Sequence, residues 1–463
     1  MSYREKLKSA AERMEKDSIL VMKAPERAKR NRDVYYNYRT SSDLLYLTGL
    51  SLENFYLVLT SDNEIEIYME YPDLLKERWE GKMQNPEDTA LALNISKESI
   101  FNVTLFWNQI GERLKNKKTL YFDFGEEPDF DQKLLQTLQT LNRNNRAKEL
   151  GPERIIQVSE LLHEMRLYKT ASELKEIQTA VDISASAFTE TMKFSRNYSG
   201  SGPLTEHGLR TQIESLMFEQ GATELAYPTI VAGGNNGTVL HYTECSSQLH
   251  KNDLVLIDAG CEWNGYASDI TRTFPVGGKF SEEQKEIYSI VLAAQNRAFE
   301  ECRKGNTLQS IHDSTLLVIT EGLWELGFFK KIPDIDNDAS EKKQNEGSKK
   351  NNTVVWAKPE SVKEVIERNL YRHYYMHSTS HYLGLDVHDV GKYRIAASER
   401  EIEPGMVFTV EPGIYISGQY DFVPEAFRGI GIRIEDDVVI SESGKQIMSQ
   451  NTPSSITDIE NLS

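Results

Sequence analysis

The chain has 463 residues, 39% of them hydrophobic and 27% charged, a balance that supports a sizeable core and, on length, two to three domains. Its formal net charge of -18 argues against a nucleic-acid or anionic-membrane partner, because phosphate recognition needs a basic surface. Three cysteines, Cys245, Cys261 and Cys302, lack CxxC spacing, so they form no disulfide framework and point to a reducing compartment, the cytoplasm.

The amino end, MSYREKLKSAAERMEKDSIL, reads as a mixed-charge helix without the apolar core of a signal peptide. No run approaches 18 apolar residues, so no membrane span is expected. SILVMKA, FYLVLTS, IEIYME and TLYFDF are short and β-rich, with turn residues such as Ser61-Asp62-Asn63 between them. Helical stretches such as Asp131 to Leu141 fall among these strands, so residues 1–165 are expected to form an α/β domain. LLHEMRLYK reads as the hinge into a second domain, 166–449. There Thr170 and Glu173 fit a capping box, and Leu174, Ile177 and Val181 follow at helical spacing. Ser281 and Gln284 repeat the box, and Leu254 to Ile257, Val407 to Val410 and Val438 to Ile440 read as strands. A polar, lysine-rich stretch near 333–352 cannot bury enough surface to offset ordering and reads as a loop insertion. The polar tail 450–463 is expected to fray.

The residues that carry chemistry sit in the second domain. Asp258 ends the apolar run LVLID, where a buried charge is costly unless paired or metal-bound. Asp269 follows eleven residues on, enough for a hairpin that returns beside it. His381 lies in MHSTSHYLGLDVHDVG, Glu411 ends the strand-like VFTV, and Glu435 follows GIGIRI. Taken singly, each also reads as a turn, cap or structural residue, and Glu435 with Asp436 and Asp437 also reads as a solvated acidic turn. Taken together, four carboxylates and one imidazole balance two divalent ions; bare, the acids would repel one another. Oxygen-dominated ligation with one imidazole suits Mn²⁺, with Zn²⁺, Co²⁺ and Fe²⁺ open. Such a pair of ions acidifies a shared water and polarises a carbonyl, so metal-assisted amide hydrolysis is the natural reaction class. Rival motifs are absent: Ser378 stands where an HExxH zincin needs its Glu, and AGGNNG at 232–237 lacks the P-loop Lys.

MHSTSHYLGLDVHDVG, HYTE at 241–244, DAGCEWNGYASDITRTFPVGGKFS, EPGMVFTVEPGIYI and GIGIRIEDD, in that set, resemble the pita-bread metallopeptidases, specifically the Xaa-Pro aminopeptidases (aminopeptidase P). The resemblance implies an amino-terminal α/β domain and a pita-bread catalytic domain. It implies that Asp258 holds one ion, that His381 and Glu411 hold the other, and that Asp269 and Glu435 bridge both. Glu411 would also shuttle a proton, and His388 and His241 would contact substrate and the tetrahedral species. His377, Tyr227, Tyr415 and Arg433 fall at substrate-pocket or supporting positions, although the two tyrosines also read as core aromatics. In the first domain RTSSDLLYLTGL at 39–50 and ERWEGKMQ at 77–84 resemble family segments. The second implies that Trp79 reaches a neighbouring subunit's active site, in a homodimer or homotetramer; a surface Trp is the plain alternative. The implied reaction releases the first residue from peptides with proline at position two, through a hydroxide on a dinuclear metal site. A prolidase restricted to dipeptides and a noncatalytic peptide-binding relative are the alternatives.

Overall fold

In the computed structural model, which describes residues 1–143, 148–200, 202–334 and 355–462, the chain forms two units, Met1–Arg166 and Leu167–Ser463. The first is built on a six-stranded mixed sheet. Its strands are β1 (Ser18–Lys23), β2 (Tyr56–Thr60), β3 (Ile65–Met69), β4 (Ile100–Asn102), β5 (Thr119–Tyr121) and β6 (Arg154–Ile156), in the order β4-β3-β2-β1-β5-β6. The central β1, SILVMK, is buried along nearly its whole length, which explains its unbroken apolar run. Helix Pro128–Asn142 starts on a proline whose missing N–H costs nothing there. It buries Phe130, Leu134 and Leu138 at four-residue spacing in a core with Ile19, Val21, Tyr68 and Phe106. The segment expected as a hinge is mostly helical, within Ser159–Leu167.

The second unit opens with the long helix Ala171–Arg196, entered through the expected capping box, with the Glu173 carboxylate accepting from the Thr170 N–H at 2.9 Å. The box at Ser281 starts helix Glu282–Glu301 in the same way. Strands β7 (Ile230–Gly233), β8 (Leu254–Ala259) and β9 (Ile270–Pro275) form one antiparallel sheet. Strands β10 (Val407–Val410), β11 (Gly413–Ile416), β12 (Ile430–Arg433), β13 (Asp436–Ser441) and β14 (Gly444–Ile447) supply the rest: β11 pairs with β12, and β13 lies between β10 and β14. A bridge between Thr271 and Glu435 stitches the two sets together. Helix Glu282–Glu301 pins the seam, because Gln295 Nε2 donates to Ile434 O at 3.1 Å and to Asp436 Oδ2 at 2.9 Å.

The insertion near 333–352 lies, beyond Asp334, outside the described residues; its flanks meet in a short antiparallel pair, Ile332–Pro333 with Trp356–Ala357. The tail 450–463 differs from expectation. It carries helix Ile456–Asn461, buries Ile459 and belongs to the second unit. The reason is a demand for acceptors: Arg196 donates to Glu460 O and Leu462 O, Tyr288 to Ser454 O, and Arg272 to Pro453 O and Thr452 O. Backbone carbonyls of a polar segment satisfy the buried Arg272 and Tyr288 and the half-buried Arg196 as well as side chains would.

Arg272 is the most exacting of these groups. Its guanidinium and the Asp436 carboxylate are 2.7 Å apart, with side chains 1% and 5% exposed. Removing one partner of such a pair strands the other in a desolvated site. Arg272→Ala is expected to destabilise the second unit by roughly 3–5 kcal/mol, read by urea unfolding. A loss below about 1 kcal/mol, the scale of a surface ion pair, would contradict the role assigned to Arg272.

Candidate metal centre

Strand register brings the acids to one face. Asp258 on β8 lies directly opposite Thr271 on β9, and Asp269 lies two residues before Thr271, so all three point the same way. The return is tight: a Cβ on Gly260 would come within 1.8 Å of the Ser268 carbonyl oxygen, so only glycine lets the chain turn there. Glu435 faces Thr271 from the other side, its N–H donating to Thr271 O at 3.0 Å and its carboxylate accepting from Thr271 Oγ1 at 2.7 Å. The pairing of Val410 with Asp436, extended by one residue, sets Glu411 against Glu435. The Glu411 N–H donates to Thr379 O at 2.8 Å and the Thr409 N–H to His381 O at 2.9 Å, which lays the His381 segment along β10.

These five residues line one cavity of about 790 Å³, and His241, His377, His388, Tyr227 and Arg433 line it as well. Asp269, His381 and Glu435 converge most closely, each offering one ligand atom within 4.8 Å of the others. His381 Nε2 lies 3.4 Å from Asp269 Oδ2, 3.6 Å from Glu411 Oε1 and 4.0 Å from Glu435 Oε1. Asp258 is held by Arg433 Nη2 at 2.5 Å and by the Tyr227 hydroxyl at 2.6 Å, and that hydroxyl also lies 2.5 Å from Asp269. Tyr415 stands behind the wall, 1% exposed; its hydroxyl accepts from Arg433 Nη1 at 3.0 Å and lies 2.8 Å from His377 Nε2. His377 Nδ1 is 3.6 Å from Glu411 Oε2, and the His388 ring is 4.3 Å from that of His381. His377 and His381 do not share a helix face, since the backbone is irregular there. Trp79 belongs to the first unit, where it stands 90% exposed on helix Leu74–Glu80.

The electrostatics follow from burial of like charge. Burial and the neighbouring Asp269 and Glu411 push the Glu435 carboxyl well above the usual range. Burial raises Glu411 to about 7 against the pull of His381 and Arg433, and it raises Asp258 despite Arg433. Burial pulls His381 down, but the Asp269 hydrogen bond and the Glu411 charge prevail and lift it to about 9. His377, buried beside Arg433, is lowered to about 3 and stays neutral. Unshared protons and excess carboxylate oxygen around one imidazole are what a hard or borderline divalent cation relieves, so the donor set fits metal binding.

Three contributors were not legible beforehand. Thr271 joins Glu435 and Arg433, whose Nε donates to Thr271 Oγ1 at 3.1 Å. Asp437, fully buried, accepts the Asp269 N–H at 3.0 Å. Asp436 is the counter-ion of Arg272, so the acidic run 435–437 is interior, not a solvated turn. The signal available was the unbroken apolar run Val438 to Ile440 that follows the acids on β13, which marks a strand buried on both faces.

The chain is similar to known proteins along its whole length. Residues 175–442 match the model of metallopeptidase family M24, and residues 3–121 match that of the aminopeptidase P N-terminal domain. The Xaa-Pro aminopeptidase of Escherichia coli (strain K12) is 34% identical over 99% of this chain and 97% of its own. That of Haemophilus influenzae is 36% identical over 97% and 94%. The solved structure of Pseudomonas aeruginosa aminopeptidase PepP superposes with a TM-score of 0.88 at 35% identity, covering 99% of this chain and 97% of that one. The α/β amino-terminal unit and the strand-lined second unit are thus the aminopeptidase P N-terminal fold and the pita-bread fold, and the chain belongs to the Xaa-Pro aminopeptidases of metallopeptidase family M24.

Proposed function

We propose that the chain is a metalloaminopeptidase that hydrolyses the amino-terminal Xaa-Pro bond of peptides at the cavity of the second unit. The observation that carries this reading is the convergence of Asp269, His381 and Glu435 within 4.8 Å, with Asp258 and Glu411 in the same cavity. Asp258 would hold one ion, His381 and Glu411 a second, and Asp269 and Glu435 both; Mn²⁺ suits this oxygen-rich set best, with Zn²⁺, Co²⁺ and Fe²⁺ as alternatives. When bound, such a pair supplies Lewis-acid polarisation of the scissile carbonyl and acidifies a water.

The chain's own residues do the rest. The Xaa-Pro nitrogen carries no hydrogen, so the prolyl ring is recognised by fit and the departing secondary amine needs a proton. Glu411 takes the proton that water loses as its oxygen adds to the carbonyl carbon, then delivers it to the nitrogen as the C–N bond breaks. His241 and His388 face the tetrahedral species, and neutral His377, with Tyr415 and Arg433, shapes the pocket beside Glu411. Arg433 and Tyr227 hold Asp258 and keep its charge in place. Trp79, exposed with Leu74 and Leu75 in the first unit, supports a homodimer or homotetramer in which it reaches a neighbouring active site. Three free, buried cysteines support a cytoplasmic setting; among the described residues no helix is long and apolar enough to cross a membrane.

Chelated protein is expected to regain turnover of Arg-Pro-Pro with Mn²⁺ and to act on it better than on Gly-Pro; preference for the dipeptide would make it a prolidase. Asp269→Ala, which removes a ligand from both ions, should lower kcat by at least about 1000-fold, on the order of a lost metal activation, and normal activity would refute the bridging role.

Metal addition should also move protons. Glu411, raised to about 7, is partly protonated at pH 7 in the metal-free protein, and Glu435 is raised by the same burial, so titration with Mn²⁺ at pH 7 should release protons, read by calorimetry in two buffers of different ionisation heat. Folded Glu411 and His381 bind protons more tightly than when unfolded, so their contribution to stability is full at low pH. It fades as pH rises through about 7 and about 9. The metal-free Tm should therefore fall across that window and metal should restore it; a flat metal-free profile would contradict the assignment.

A further inference from the structure

Away from the metal cluster, the second unit buries a carboxylate that the proposed chemistry does not use. Glu206 opens helix Glu206–Glu219 and is 0% exposed. Its four partners are donors and none is a cation. Oε1 accepts from the Gly233 N–H at 2.7 Å and from Asn236 Nδ2 at 2.9 Å. Oε2 accepts from the Tyr242 hydroxyl at 2.9 Å and from the Ser247 N–H at 2.8 Å. All four donors belong to one segment, residues 233–247, and His241 lies inside it. The helix start is tied to the same segment a second time, since the Glu206 N–H donates to Ser247 O at 3.0 Å.

Along the segment Leu240, His241 and Thr243 line the metal cavity, while Tyr242 does not and packs against the cluster of Ile230, Ala232, Leu256 and Tyr415. Tyr242, which carries one of the Glu206 bonds, is thus the neighbour that sets the direction of His241. A buried charge with no counter-ion persists only where its hydrogen bonds offset desolvation. Here each of those bonds ends on the segment that carries His241 to the cavity wall.

We propose that Glu206 is a positioning residue for the hydrolysis: its carboxylate clamps the 233–247 segment so that His241 is presented to the substrate. This rests on the reading that His241 contacts the reacting peptide. The requirement is for two acceptor oxygens. A glutamine in its place turns an NH₂ group toward one pair of donors, leaving them opposed and unsatisfied.

Glu206→Gln is expected to lower kcat roughly 10- to 100-fold, the scale of a misplaced catalytic contact, with metal content per chain and KM near those of the parent. His241→Ala should lower kcat as well, and adding Glu206→Gln to it should cost no more than about twofold further, because the two act as one unit. A merely structural role would instead add its loss in full to that of His241→Ala, and that outcome overturns the proposal. Parent-level kcat in Glu206→Gln, beside a defective His241→Ala, overturns the proposal alone. Parent-level kcat in His241→Ala overturns the role of His241 and the proposal with it. If Glu206→Gln does not fold, Tyr242→Phe carries the test: a fall in kcat that is absorbed in the His241→Ala background supports the clamp, and an unchanged kcat overturns it.

Discussion

Asp258, Asp269, Glu411 and Glu435 line one cavity, where burial and mutual repulsion push the carboxyls of Asp258, Glu411 and Glu435 above their usual range. Arg433 neutralises Asp258 at 2.5 Å, and His381 sits among the others. That leaves more negative charge than the protein's own cations balance. The fold holds the acids together regardless, through strand pairing that costs little to keep because it is shared with the core. A site that is electrostatically incomplete by itself and geometrically complete is a site organised for added cations.

The scaffold of this arrangement is β9, and its period of two divides the work. Thr271, buried behind the acids, is paired with Asp258 on one side and bridged to Glu435 on the other. Arg272, the next residue, points to the opposite surface, where it meets Asp436 and the carbonyls of Thr452 and Pro453. The same pair of strands therefore orients the acids and ties the carboxyl-terminal segment to the core. Glu206 works from a third direction, through the loop that carries His241. Polar groups that face the cavity are thus held by others buried behind them, Asp269 by Asp437 and His377 by Tyr415.

Much of this was legible in the sequence because the acids stand at the ends of apolar strands, where an unpaired charge is anomalous. Asp258 after LVLI and Glu411 after VFTV announce themselves in that way. Their partners did not. Thr271, Asp437 and Glu206 have ordinary local contexts, and their importance comes from hydrogen bonds to residues far away in the chain. The acidic run 435–437 was misleading for the same reason, since its counter-ion Arg272 is remote. The tail misled as well: polar composition forecasts fraying only when no buried donor needs its carbonyls, and Arg272 and Tyr288 do. Capping boxes at Thr170 and Ser281 were readable because their partners are three residues apart.

The account turns on whether five residues drawn from separate stretches of the second unit share a pair of cations. Anomalous diffraction from crystals grown with Mn²⁺ tests this most directly. Two peaks roughly 3.5–4 Å apart, with Asp269 and Glu435 touching both, are the predicted result. A single peak, or peaks outside the cavity bounded by Asp258, His381 and Glu411, would contradict it.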